Sequence, residues 1–267
     1  GVGFPFLDSG PSPYYRPFLA PLLRRLLKSN RTFTIFHNEE DRQSLIAQKV
    51  VSEEQSVTVF SSGVDTERFA PGPPRPPRDA PVVLMAARLL WDKGIEEYVE
   101  AARQLFARGV SARFLVAGTP DPGSTLAVDD AHMATWRDDG VVEFLGHRDD
   151  MANLLRDADV AVLPSHHEGV PRFLLESAAA GLPIVATDIS GCRVVVRDGV
   201  NGTLVPVRDS AALAEALATM LTDAEQRQHM GEASRDIAIE RFSQSQAMDA
   251  HLNVLRTLGV PITEPQP

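Results

Sequence analysis

The sequence predicts an α/β protein built around a doubly wound parallel sheet, with the remnant of a second α/β unit ahead of it. Three observations carry this. From Val82 to Val205 short apolar runs alternate with stretches of helical periodicity, the pattern of strands joined through helices into a parallel sheet. Before that pattern starts, Pro71-Gly72-Pro73-Pro74-Arg75-Pro76-Pro77 interrupts the chain; such a run is neither helix nor central strand and behaves as a semi-rigid spacer. The 267 residues, 43% of them hydrophobic, suffice for one large or two smaller cores.

Taken in order, residues 1–17 are rich in Gly and Pro, carry Tyr14 and Tyr15, and read as loop. Leu19, Leu22, Leu23, Leu26 and Leu27 fall on one face of a helix spanning Leu19 to Lys28. Thr32 to Phe36 is a strand. Asn38 is placed to cap a helix that opens with Glu39-Glu40-Asp41, acids suited to a first turn. Ser56 to Phe60 is a further strand, and Ser61 to Asp65 a turn. Residues 1–70 are thin for an independent α/β domain. Gly1 stands where an initiator Met would, so the expectation is the end of a longer N-terminal domain, followed by a linker over 71–79.

From residue 80 to 242 the expected domain runs strand Val82–Met85, helix Ile95–Ala107, strand Arg113–Val116, helix Leu126–Trp136, strand Val141–Leu145, helix Met151–Ala158, strand Val160–Leu163, helix Pro171–Ala180 and strand Pro183–Ala186. A turn and strand over Asn201–Val205 close the sheet. Helices Ala211–Leu221 and Glu225–Arg241 follow. A last helix, Gln244–Leu258, and a Pro-rich tail make up 243–267. In such sheets ligands bind beyond the carboxyl ends of the strands. Arg88 and Lys93, Gly118, Gly146-His147-Arg148 and Ser165 to Glu168 all fall there.

The formal charge of −10 argues against a general nucleic-acid binder. Cys192 is the only cysteine, which excludes an internal disulfide and a Cys-based metal site and fits a reducing, cytoplasmic compartment. No run approaches the roughly 18 apolar residues of a membrane span, and no signal peptide is legible. Asp157-Ala158-Asp159 has the form of a metal-binding Asp-x-Asp, but Asp159 precedes a strand where a ligand would have to follow one, and helix-end and turn roles are expected. His166 and His167 are adjacent in an extended stretch and point opposite ways, so they do not share a metal.

The chemistry concentrates in Ser165 to Glu176. Glu168 and Glu176 lie eight residues apart across a loop-to-helix junction, and the free N–H groups of the helix start favour an anion between them. On spacing alone this is equally a capped helix with two solvated acids. The string Glu168-Gly169-Val170-Pro171-Arg172-Phe173-Leu174-Leu175-Glu176, with Ser177 to Thr187 after it, resembles the E-x7-E signature of glycosyltransferase family 4, retaining and metal-independent enzymes of the GT-B fold with Rossmann-like domains. The resemblance implies that Glu168 is the catalytic carboxylate facing the donor sugar and that Glu176 binds the nucleotide ribose, with His167, Gly169, Val170 and Pro171 as donor contacts. Arg88 to Gly94 resembles the family's Arg…Lys-Gly diphosphate site, where Arg88 and Lys93 would meet the phosphates. Gly146, His147 and Arg148 resemble the loop beside the base. Asn38 to Arg42 and Gly63-Val64-Asp65 also look familial. The chain departs from the family around Cys192-Arg193, where related enzymes often carry Gly-x-x-Glu, and the resemblance implies that residues 1–70 are only the end of the family's N-terminal domain.

By resemblance the substrate is a nucleoside diphosphate sugar, a UDP-sugar and foremost an N-acetylhexosamine, with no cofactor and no metal. The acceptor is a glycan or a lipid-linked molecule, as in polysaccharide biosynthesis. Two other classes stay open: a nucleotide-sugar isomerase of the same architecture, and a non-catalytic nucleotide-binding module. Tyr14 to Lys28, with its leucine stripe and Arg16, Arg24, Arg25 and Lys28, suits peripheral contact with the anionic inner face of a cell membrane. It equally suits an ordinary amphipathic helix packed in its own domain.

Overall fold

The computed structural model describes residues 21, 24–27, 32–60, 62–73, 78 and 80–260. The chain divides into two compact units, one formed within residues 1–63 and 244–267 and the other by 64–243.

In the smaller unit β1 (Thr34–Phe36) lies parallel to β2 (Ser56–Thr58), with α1 (Glu39–Ala47) between them. Asn38 caps α1 as its sequence position suggests: its Oδ1 accepts from the Asp41 N–H at 2.7 Å. Leu45, Val50 and Val51 form a small core with Phe36 and Ile46. Of the expected helix Leu19–Lys28 only residues 21 and 24–27 are described, and these are helical. There the Arg24 guanidinium donates to the Gln48 carbonyl at 2.8 Å.

The larger unit runs β3 (Val82–Ala86), a 3-10 turn (Trp91–Lys93), α2 (Ile95–Ala107), β4 (Arg113–Ala117), α3 (Asp130–Asp139), β5 (Val142–Gly146), α4 (Met151–Asp157), β6 (Val160–Leu163), α5 (Arg172–Ala179), β7 (Ile184–Thr187), α6 (Ser190–Val195), β8 (Gly202–Val205), α7 (Ser210–Thr222) and α8 (Ala224–Phe242). A final helix, α9 (Gln244–Thr257), returns to the smaller unit. The strands form a six-stranded sheet in the order β5-β4-β3-β6-β7-β8, every neighbour parallel. The chain winds outward from β3 to β5, then crosses back to β6 and winds the other way. The switch lies between β3 and β6, where an open parallel sheet leaves a crevice.

Side chains alternate across the sheet. Val83 and Met85 pack with α2, α3 and α7 through Tyr98, Leu105, Trp136 and Leu217. Val82 and Leu84 pack with α5 and α8 through Leu174, Ile237 and Phe242. Both faces are covered, so β3 and β6 read as unbroken apolar runs.

Three local expectations change. α3 begins at Asp130, not Leu126, because Asp129 caps it through the His132 N–H, while Leu126 and Ala127 are drawn into backbone contacts with Leu90 and Trp91. Pro171 is the N-cap of α5, and Arg172 its first residue. The short helix α6 was not expected from the sequence; Gly191, Cys192, Val194 and Val195 are buried in it. Asp157-Ala158-Asp159 sits at the amino end of the sheet, where Asp159 accepts from the Val82 N–H at 2.7 Å and Arg78 bonds Asp157. Among the described residues no helix is long and apolar enough to cross a membrane.

Candidate functional site

The loops at the carboxyl ends of β3, β4 and β5 and the start of α5 enclose a cleft of about 270 Å³. Arg88 reaches it from the β3 loop, Gly118 and Thr119 from the β4 loop, and His147 and Arg148 from the β5 loop. Arg172, Phe173 and Glu176 line it from α5. Helical spacing explains the last set: Arg172 and Glu176 are one turn apart on the same face, so both point into the cleft. The Arg172 Nε–H donates to Glu176 Oε1 at 2.8 Å. Glu176 is the shielded partner, its side chain 12% exposed against 82% for Arg172. Pro171 contributes no side-chain cap to α5.

Lys93 and Glu168 form a second cluster. The Lys93 Nζ stands 2.7 Å from Glu168 Oε1, and both side chains are largely shielded. The Ser165 hydroxyl donates to the same carboxylate oxygen at 2.9 Å. Lys93 also reaches the His167 carbonyl at 3.5 Å. Behind them the Thr187 hydroxyl donates to the Ser165 carbonyl, and the His166 N–H to the Asp92 carbonyl at 2.8 Å. The β6 loop is therefore tied to the β3 loop and to the end of β7.

Two glycines permit this closeness. Gly94 has a φ of 72°, the left-handed region open to glycine, and a Cβ there would overlap the Pro164 carbonyl. At Gly191 a Cβ would overlap the carbonyl oxygens of Glu168 and Gly169. α6 thus presses on the Glu168 loop from below. Cys192, beside Gly191, is fully buried; burial first, and then the Glu168 carboxylate, push its thiol up to about 12.

The expected site residues therefore fall into two neighbouring groups. Arg88, His147, Arg148 and Glu176 share the cleft, and Gly146 anchors its floor by accepting from the Gly118 N–H at 2.8 Å. Lys93, His167 and Glu168 share the second cluster, with Gly169, Val170 and Pro171 leading from it into α5. Four pairings were not assigned from sequence. Ser165 orients Glu168, Arg172 pairs with Glu176, and Asp121 accepts from Arg88 at 2.8 Å. Asp150 holds Arg148 by two bonds at 2.8 and 2.6 Å. Ser165 and Arg172 both lie in the stretch singled out from sequence, and Arg172 carried the further signal of its one-turn spacing from Glu176.

The fold has counterparts among solved structures. Sucrose-phosphate synthase from Thermosynechococcus elongatus matches with a TM-score of 0.79 at 22% identity, over 98% of this chain and 66% of that one. Anabaena Alr3699/HepE, solved in complex with UDP, matches with a TM-score of 0.78 at 23% identity, over 92% and 70%. Both show the fold, a GT-B type α/β unit. In sequence, the N,N'-diacetylbacillosaminyl-diphospho-undecaprenol alpha-1,3-N-acetylgalactosaminyltransferase of Campylobacter jejuni is 32% identical over 160 residues, 60% of this chain and 40% of the relative. A D-inositol 3-phosphate glycosyltransferase of Saccharomonospora viridis is 35% identical over 218 residues, 75% of this chain and 50% of the relative. The chain thus spans about half the length of the curated relatives it matches. Residues 66–237, more than half of the chain and nearly all of the larger unit, match the family described as glycosyl transferases group 1, and to that family the chain belongs.

Proposed function

We propose that this chain is the donor-binding part of a retaining glycosyltransferase. The complete enzyme moves a sugar from a nucleoside diphosphate sugar, a UDP-sugar as first choice, to a glycan or lipid-linked acceptor. The observation that carries the reading is the convergence of Arg88, Arg148, Arg172 and Glu176 on one cleft at the sheet's carboxyl edge. The Lys93–Glu168 pair stands on the adjoining loop. UDP in the complex of the similar HepE structure supports the nucleotide, and the name of the Campylobacter jejuni relative supports an N-acetylhexosamine and a lipid-linked acceptor.

In this reading Glu176 accepts from the ribose hydroxyls, the β5 loop flanks the base, and Arg88 and Lys93 meet the diphosphate. Arg88 can fork two oxygens where Lys93 offers a mobile point charge. As the bond from the sugar C1 to the diphosphate oxygen breaks, negative charge grows on the leaving group, and these two cations balance it. The acceptor oxygen bonds to C1 on the face the diphosphate leaves, and its proton passes to the departing phosphate oxygen. Glu168, oriented by Ser165 and Lys93, faces the donor sugar. No metal and no covalent enzyme intermediate enter this scheme.

Calorimetry of the chain with UDP in excess chelator tests the reading. Binding is expected; absence of binding overturns the donor-site assignment, and binding that disappears with chelator overturns metal independence. With the full-length enzyme, retention at the anomeric carbon is read by NMR of the product. Peripheral membrane contact through residues 14–28 belongs to the same proposal. Full-length enzyme should sediment with anionic vesicles at low salt, and a variant with Arg24→Glu and Arg25→Glu should not.

A further inference from the structure

We infer that Glu97 and His166 form a positioning pair that holds the Glu168 loop against the Lys93 turn and thereby sets where Glu168 stands relative to a donor sugar. The inference rests on the donor-binding reading above. Glu97 is the third residue of α2, in the turn where a carboxylate is favoured by the helix dipole. Its Oε1 lies 2.8 Å from His166 Nε2, and the two side chains are only 13% and 17% exposed. The backbone N–H of the same histidine donates to the Asp92 carbonyl, so residue 166 is held through both backbone and ring. Two residues further on, Glu168 meets Lys93. The segment 92–97 therefore grips the segment 166–168 at each end, Glu97 on His166 and Lys93 on Glu168.

The other carboxylate oxygen of Glu97, Oε2, is buried without a hydrogen-bond partner. A buried acceptor left unpaired is costly, and an apolar side chain would fill the space without that cost, so the use of the carboxylate lies in its bond to His166. Neither Glu97 nor His166 lines the cleft. Both act through Glu168, which makes them positioning residues.

The test uses the 267-residue chain with Glu97→Ala, Glu97→Gln and His166→Phe, and Glu96→Ala as a control on the exposed side of the same helical turn. Calorimetry with UDP and with UDP-glucose is paired with amide exchange of residues 166–168. Loss of one charged hydrogen bond in the positioning network is expected to weaken UDP-glucose about 10-fold in Glu97→Ala and His166→Phe, with UDP held within about 2-fold. Loop exchange should quicken in both. Glu97→Gln keeps an oxygen acceptor and should recover part of the loss, and Glu96→Ala should match the parent. An unchanged ratio of the two affinities, an equal loss of both ligands, or unchanged loop exchange overturns the inference. If the parent binds neither nucleotide, the donor reading has failed and this inference falls with it; if the parent binds and only the ratio stays fixed, the inference alone fails.

Discussion

Replacing Glu176 by alanine is expected to weaken UDP binding by about 1.5–3 kcal/mol, roughly 10- to 150-fold, the range for removing hydrogen bonds to a charged acceptor. The structure narrows this. The carboxylate is shielded in the wall of the cleft, whereas its partner Arg172 is 82% exposed, so the bond between the two is a surface pair contributing about 0–1 kcal/mol. The variant should therefore fold as the parent does, and the loss should appear in binding alone. Arg172, once released, still faces the cleft and attracts phosphate, which moves the expected loss toward the lower end of the range. Calorimetry with UDP and with 2′-deoxy-UDP forms a double cycle. The parent should lose affinity when the hydroxyl is removed, and Glu176→Ala should not, because its partner is already gone. Parent-like UDP affinity in the variant, or equal sensitivity of both proteins to the missing hydroxyl, would refute the ribose assignment.

Gly191→Ala should push the Glu168–Gly169 backbone at an overpacking cost of about 1–3 kcal/mol, seen as a lower midpoint in thermal unfolding and a selective loss of UDP-glucose over UDP in calorimetry. Cys192, with its thiol pushed up to about 12 by burial and by Glu168, should resist thiol reagents at about pH 8 in the folded chain and react at once in denaturant; prompt labelling of native protein would contradict its placement. Burial alone would raise the Glu97 carboxyl, but the His166 bond and its own backbone N–H outweigh burial and hold it below its ordinary value of 4.5. A depressed carboxyl contributes its stability in full above the ordinary value and loses it as pH falls through the folded value. The parent should thus lose stability more steeply than Glu97→Gln in denaturant titrations below pH 4.5, and parallel curves would show that this bond carries no such linkage.

Much of the sheet was legible because burial on both faces leaves a simple mark. β6 is Val-Ala-Val-Leu without a polar residue, and α2 shows its apolar stripe in Ile95, Tyr98, Val99, Ala102 and Leu105. The start of α3 was not legible, since what removes Leu126 from the helix is a backbone bond to Trp91, remote in sequence. α6 escaped because six residues opening Ser-Gly have little helical preference of their own; packing of Cys192 and Val195 decides it. In the site, strand ends told which loops would meet, and Arg88, His147, Arg148 and Glu176 do meet. Apart from the one-turn spacing of Arg172 and Glu176, which carboxylate each cation faces was not written in the spacing. The pairs Arg88 with Asp121 and Lys93 with Glu168 join residues from different loops, and only the folded chain brings them within reach.

Those pairings have a kinetic consequence. Arg88, Lys93, Arg148 and Arg172 each face a carboxylate of this chain, so the fixed charges around the sheet's carboxyl edge cancel locally. The molecule as a whole carries −10. An approaching nucleotide diphosphate, itself an anion, meets no funnel of positive potential from afar, and its encounter gains none of the acceleration that a uniformly basic mouth supplies. In the donor-binding reading, attraction begins only at contact, when a phosphate oxygen takes N–H donors that the paired carboxylates leave over. Added salt screens the long-range repulsion between two anions, so stopped-flow association should quicken, or hold level, as ionic strength rises, the reverse of what a steered ligand would do.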